Sequence, residues 1–148
     1  MKAIILNSEQ TEKILNHLVA YGYDKIIMFC NSTIDINRSY YKMNGIDIIT
    51  VNSIAREQTK DKLQKIRGSL KDYFLIVYSD EACSYDLDEA LKIHRAKQGI
   101  ITVTQRDSKI SFAICEPEVL DYFTKDTVSF EKDVIQRIAE DSELTVFE

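Results

Sequence analysis

Two short polar stretches hold the side chains best suited to chemistry. Asn7-Ser8-Glu9-Gln10 follows the apolar run Lys2–Leu6, and Ser79-Asp80-Glu81 follows the apolar run Tyr73–Tyr78. Each places oxygen donors directly after a segment that reads as a buried strand. A carboxylate at such a position suits magnesium, which takes one or two carboxylates and completes its shell with water and substrate phosphates. Asp80 is therefore the candidate metal ligand. Its competing role, shared with Ser84, is to cap the helix that follows.

The remaining reactive side chains read as structural. His17 and His94 lie in different helical stretches beside apolar neighbours, and no local motif joins either to a nucleophile. They read as helix-surface or partly buried histidines. Cys30, Cys83 and Cys115 are odd in number and lack the paired spacing of a disulfide framework or zinc site, so they read as buried free thiols. Asp86 with Asp88, and Glu116 with Glu118, fall at helix starts, where negative charge complements the helix dipole. Lys60, Lys62, Lys65 and Arg67 cluster, but Glu57 and Asp61 interrupt them, and the pattern reads as a solvated helix face rather than a nucleic-acid patch.

The elements that would position these groups alternate along the chain. Apolar runs at Lys2–Leu6, Lys25–Cys30, Ile46–Val51, Tyr73–Tyr78 and Ile100–Thr104 read as strands, their continuity being that of strands covered on both faces. Helical spacing appears over Glu9–Ala20, with Ser8 as cap and Gly22 just past the end, and again over Thr59–Leu70 and Tyr85–Lys97. The stretch 31–44 shows no clear period and is left as a loop with at most one irregular helical turn. Arg106–Lys109 reads as a turn leading into an antiparallel return strand, Ile110–Cys115. Pro117 opens a short helix reaching Phe123, Phe130–Glu140 is a last helix and Leu144–Phe147 a last strand. Strands alternating with helices predict a three-layer, Rossmann-like α/β fold: a mostly parallel sheet with helices on both faces. Ligands of such sheets bind beyond the carboxyl ends of the strands, where both polar stretches fall.

Composition sets the outer bounds. The 148 residues suffice for one domain, 1–148, and the 45% apolar and 29% charged content is that of a globular chain rather than a disordered one. No apolar run approaches the roughly 20 residues that span a bilayer, and the first run is too short for a signal peptide, so a cytoplasmic location and no membrane partner are expected. The net charge of −5 and the absence of a basic patch argue against nucleic acid.

Taken together, these blocks resemble the sugar-phosphate nucleotidyltransferases, which join a nucleoside triphosphate to a sugar 1-phosphate and release pyrophosphate. Lys2-Ala3-Ile4-Ile5-Leu6 is similar to their first strand, and Tyr73–Asp80 to their strand ending in Gly-Asp, with Ser79 in the glycine's place. Asp86–Leu91, His94 and Gly99 resemble the next helix. Cys115-Glu116-Pro117-Glu118-Val119-Leu120-Asp121 and Phe130-Glu131-Lys132-Asp133 are similar to two late segments. The resemblance implies Mg2+ on Asp80 and nucleotide contacts from Asn7, Ser8 and Thr59. The last lies where the family's base-recognition segment falls, near Arg56-Glu57-Gln58-Thr59, with only the threonine in agreement.

The departures bear on function. The family's first strand runs into Ala-Gly-Gly-x-Gly-Thr-Arg-Leu and then Pro-Lys-Pro, where glycines admit phosphates to backbone N–H groups and cations neutralise them. Here Asn7-Ser8-Glu9-Gln10-Thr11 leads at once into a helix, and Glu9 brings negative charge. Only a turn stands between Arg106 and Ser111, where the family builds sugar-binding strands, and its second metal-binding aspartate has no counterpart before Glu148. Three functions stay open. The first is a degenerate nucleotidyltransferase-like domain with a binding, regulatory or scaffold role. The second is a reduced but active enzyme using Asp80 and magnesium, and the third is a structural interaction protein that binds no nucleotide. A nucleotide or sugar phosphate is the expected small ligand. Self-association or a partner protein is expected too, through a patch of Tyr40, Tyr41 and Met43 and through the Leu144–Phe147 strand.

Overall fold

In the computed structural model, residues 1–6, 10–30, 36–54, 57–107 and 109–147 are described. The strands are β1 (Lys2–Ile5), β2 (Lys25–Cys30), β3 (Asp47–Asn52), β4 (Phe74–Val77), β5 (Ile101–Arg106), β6 (Lys109–Cys115) and β7 (Leu144–Phe147). They form one seven-stranded sheet in the order β3-β2-β1-β4-β6-β5-β7. Every neighbouring pair is parallel except those made by β6, which runs against both β4 and β5. The five strand segments expected from continuous apolar runs thus share one mostly parallel sheet, with boundaries shifted by a residue or two.

The helices are α1 (Thr11–Ala20), α2 (Arg38–Met43), α3 (Thr59–Lys65), α4 (Leu87–Lys97) and α5 (Ile135–Glu140). Period-2 alternation divides the strand side chains between two cores. Ala3, Ile5, Met28, Leu75 and Val77 pack under α1, α2 and α4 through Ile14, Leu18, Tyr41 and Leu91. Ile4, Leu6, Phe29, Phe74 and Ile76 pack under α3 and α5 through Leu63, Ile135 and Ile138. Both faces are covered, so a central strand such as β4 is apolar at every position and buried throughout.

Local chemistry sets several boundaries differently from the sequence expectation. α1 starts at Thr11, not Glu9, behind Gln10 held at φ 55°, and Ser8, the expected cap, lies outside the described residues. At its other end the expected Gly22 stop is present: φ is 86°, and Gly22 N–H donates to the Val19 carbonyl while Tyr23 N–H donates to that of Leu18. Within the stretch expected to be a loop, Asn37 caps α2 by accepting from Tyr40 N–H at 3.0 Å. α3 stops at Lys65 and gives way to a 3-10 turn, Arg67–Ser69, containing Gly68, a poor helix former. α4 starts at Leu87 rather than Tyr85, because Asp86 accepts from Glu89 N–H at 3.1 Å and Tyr85 stays extended with its ring against Phe112. The Phe130–Glu140 stretch opens with one wide π-type turn, Phe130–Val134, before α5.

Candidate functional site

The parallel strands place their carboxyl ends on one edge of the sheet, where the switch point between β1 and β4 lies. Asp80 stands three residues past the end of β4 and opens a 3-10 turn, Asp80–Ser84, whose N-cap Ser79 accepts from Glu81 N–H at 3.3 Å. Neither Asp80 nor Ser84 caps α4. Asp86 does so, and the Ser84 hydroxyl donates to the Glu81 carbonyl at 2.7 Å. The Asp80 carboxylate instead pairs with the Lys13 ammonium from α1 at 3.3 Å, both side chains being exposed. Glu81 turns toward β6, where it accepts from the Ser111 hydroxyl at 3.4 Å.

Of the three expected nucleotide contacts, Asn7 and Ser8 lie outside the described residues. Thr59 is the first residue of α3 and lines a depression of about 450 Å³ with Glu57, Gln58, Val128, Ser129 and Glu131. Asp80 is not among the residues lining it, so Thr59 and Asp80 are not brought into one cavity.

The largest difference from the sequence expectation is the basic cluster. Three of its lysines donate to backbone carbonyls, Lys60 and Lys62 from half-buried positions and Lys65 while staying exposed, as a solvated face would. Lys60 donates to Thr127 at 3.0 Å, Lys62 to Leu6 at 2.9 Å and Lys65 to Asn52 at 3.2 Å. Leu6 and Asn52 end their strand runs, so the lysines close the carboxyl edge over β1 and β3. Long methylene stems make this possible, since a lysine can bury its stem along apolar surface and still deliver its charge to a polar group. Lys62 also lies 5.8 Å from the centre of the Phe29 ring. Desolvation lowers the Lys62 ammonium below the usual lysine range, partly offset by the negative charge of Glu57.

Acidic partners complete the cluster. The Glu57 side chain is only 6% exposed and pairs with Lys65 at 2.5 Å. The Lys65 hydrogen bond, ahead of its other neighbours, holds the Glu57 carboxyl below its ordinary value. The second Glu57 oxygen, Oε2, is buried and has no hydrogen-bond partner among the described residues. Just past β4, the Tyr78 hydroxyl donates to Glu131 Oε1 at 2.9 Å and ties the last helical segment to this edge. The signal that could have pointed to these roles is weak: lysines two and three residues apart on one short helix after a strand.

The histidines and thiols stand apart from this edge. His94 is more deeply buried than expected. Its ring bridges the Thr102 hydroxyl at 2.7 Å and Glu116 at 2.8 Å, near the amino end of β5. His17 Nε2 lies 3.2 Å from the Tyr85 carbonyl. Cys30 and Cys115 are buried as expected, whereas Cys83 is partly exposed.

Asp80 offers a divalent cation one protein ligand among the described residues. It is a single carboxylate with an ammonium already on it, and among the described residues no group of three or more His, Cys, Asp or Glu side chains could hold a metal. What the described residues of the edge offer chemically is a set of positive charges engaged by carbonyls and carboxylates of the same chain. No helix among the described residues is long and apolar enough to cross a membrane.

No family model and no curated protein matches the sequence. Solved structures do match. A cytidylyltransferase from Leptospira borgpetersenii serovar Hardjo-bovis is similar at TM-score 0.62 and 11% identity, over 99% of this chain and 74% of that one. A CMP:2-keto-3-deoxy-manno-octonic acid synthetase solved with CTP is similar at TM-score 0.60 and 10% identity, over 100% of this chain and 90% of that one. A protein of Mycobacterium tuberculosis H37Rv solved with manganese is similar at TM-score 0.58 and 11% identity, over 99% of this chain and 86% of that one. At such identities the likeness is one of fold, and the fold is that of the nucleotidyltransferases: Rossmann-like α/β with a mostly parallel sheet.

Proposed function

We propose that this chain is a degenerate nucleotidyltransferase-like domain that no longer transfers nucleotides and acts as a binding or regulatory module. The observation that carries this reading is the Lys62 ammonium, bonded at 2.9 Å to the chain's own Leu6 carbonyl at the end of the first strand run. Attack on an α-phosphate needs its charge held by a metal and by cationic or N–H donors aimed at the transition state. Here, among the described residues, Lys60, Lys62 and Lys65 are engaged by backbone carbonyls, and Asp80 is engaged by Lys13. Each absent preorganised donor costs about 10²–10³ in rate, and a sequence without the glycine-rich cradle lacks several at once.

Incubation with each nucleoside triphosphate, common sugar 1-phosphates and magnesium is expected to release no pyrophosphate. Turnover that disappears in Asp80→Ala would overturn the reading in favour of the reduced active enzyme. Calorimetric titration of the same triphosphates separates a nucleotide-binding module, which gives saturable heat, from a purely structural one, which gives none.

The reading extends to association. β3 and β7 are the two edge strands, and they leave Ile49 and Val146 exposed. Tyr40 and Met43 are exposed as expected, but Tyr41 turns into the core, so the anticipated three-residue patch is narrower. Light scattering over a concentration series is expected to show a mass above that of one chain, and a monomer at every concentration would leave only a different partner.

A further inference from the structure

On the face of the sheet away from α3, α1 and α2 with the two residues preceding α2 border a cavity of about 420 Å³ lined by Glu12, Asn16, Ile36, Asn37, Tyr40 and Tyr41. Its size falls in the range of small-molecule sites, roughly 300–1,000 Å³. Internal hydrogen bonds set the orientation of both amides. Asn16 Oδ1 accepts from the Tyr41 hydroxyl at 3.0 Å, and Asn37 Oδ1 accepts from Tyr40 N–H at 3.0 Å. With their oxygens engaged, each amide has its NH2 group left to donate. The Tyr40 ring is 57% exposed and meets the buried Tyr41 ring edge-to-face, with centroids 5.3 Å apart.

Charge narrows the ligand class. Among the described residues, the one ionisable carboxylate of the lining is Glu12, and no lysine or arginine lines the cavity. The two nearest cations in sequence are directed elsewhere: Lys13 to Asp80 and Arg38 to the Thr50 hydroxyl at 3.0 Å. A phosphate or other anion would meet repulsion without compensation. A sugar ring has the complementary chemistry. Its C–H face stacks on an aromatic ring, whose face is electron-rich. Its hydroxyls donate to a carboxylate and accept from amide NH2 groups.

We propose that this cavity binds an uncharged saccharide ring, stacked on Tyr40 and hydrogen-bonded by Glu12, Asn16 and Asn37. The site stands apart from the carboxyl-edge cluster and does not depend on the function proposed there.

Saturation-transfer NMR with D-glucose, D-galactose, D-mannose and N-acetylglucosamine tests it. Transfer to the ring protons of at least one sugar is expected, weakened about fivefold in affinity by Tyr40→Ala and retained in Tyr40→Phe. Glu12→Gln should weaken it as well, whereas Met43→Ala, on the exposed side of α2, should leave it unchanged. Glucose 1-phosphate should bind more weakly than glucose. Transfer to none of the four sugars would overturn the proposal. So would transfer indifferent to Tyr40→Ala, tighter binding of glucose 1-phosphate, or a Tyr40-dependent site that takes choline and no sugar.

Discussion

Replacing Tyr78 by phenylalanine tests how the last helical segment is held to the carboxyl edge. The substitution keeps the ring, which packs against the larger core, and removes the hydroxyl that donates to Glu131 Oε1 at 2.9 Å. A hydrogen bond to a charged acceptor contributes about 1.5–3 kcal/mol. Glu131 is partly exposed and regains water, so the lower end, about 1.5 kcal/mol, applies at pH 7. For a chain of this size that corresponds to a Tm lower by about 3–6 °C. The loss should shrink at high pH. Burial first, and the Glu131 charge next, push the Tyr78 phenol well above its ordinary value in the folded state, whereas in the unfolded chain it titrates near ~10. As pH rises past that value the unfolded state releases its proton first, and the wild type loses stability that the phenylalanine variant does not. By pH 10.5 the difference between them should have narrowed by about 0.8 kcal/mol. Urea denaturation of both proteins at pH 7 and pH 10.5 measures this. Equal losses at the two pH values, or no loss at pH 7, would refute the reasoning.

Two further outcomes follow from packing. Gly99→Ala should cost about 1–3 kcal/mol in urea denaturation, because its Cβ would lie 2.7 Å from the Glu143 carbonyl oxygen, which accepts from Ile100 N–H at 2.9 Å where β5 meets β7. Gly68→Ala, where the Cβ meets nothing within 4 Å, should change little, and equal effects at both glycines would refute the steric account. Native labelling with an aromatic disulfide reagent should modify one thiol per chain and none in Cys83→Ser, since Cys30 and Cys115 are buried and burial also raises the Cys115 thiol well above its ordinary value. Rapid labelling of a second thiol would contradict this burial.

The sheet was legible because its strands are buried on both faces, which leaves continuous apolar runs such as Phe74–Val77. The Gly22 stop was legible because a positive φ has few substitutes, whereas the start of α4 was read two residues early and its cap was assigned to Asp80 or Ser84 rather than to Asp86. Three parts were not. The start of α1 follows a left-handed Gln10, a conformation that glutamine does not advertise. The lysines of α3, with Asp61 among them, read as a solvated face, and their bonds to backbone depend on which carbonyls the strand ends of β1 and β3 present, a tertiary fact. His94 sits between Thr102 and Glu116, whose meeting is made by the pairing of β5 with β6 rather than by any local spacing. At the candidate site itself, Asp80 was correctly placed past β4, but its partner Lys13 comes from α1 and is invisible to a local reading.

Because β6 alone runs backwards, its hairpin with β5 turns at the same edge as the carboxyl ends of the parallel strands. The register closes by pairing Arg106 with Lys109, after Asp107 at φ 52°. A surface turn of this kind is entropically cheap to enlarge, each doubling of a flexible loop costing only about 0.6 kcal/mol. The sheet beneath it is held by strand pairings that begin further along β6, from Ile110 to Cys115. Residues could thus be gained or lost at this tip over evolutionary time while the scaffold stayed intact. An α/β sheet with one reversed strand keeps, beside its ligand edge, a place where new recognition can be grafted without the rest of the fold having to change.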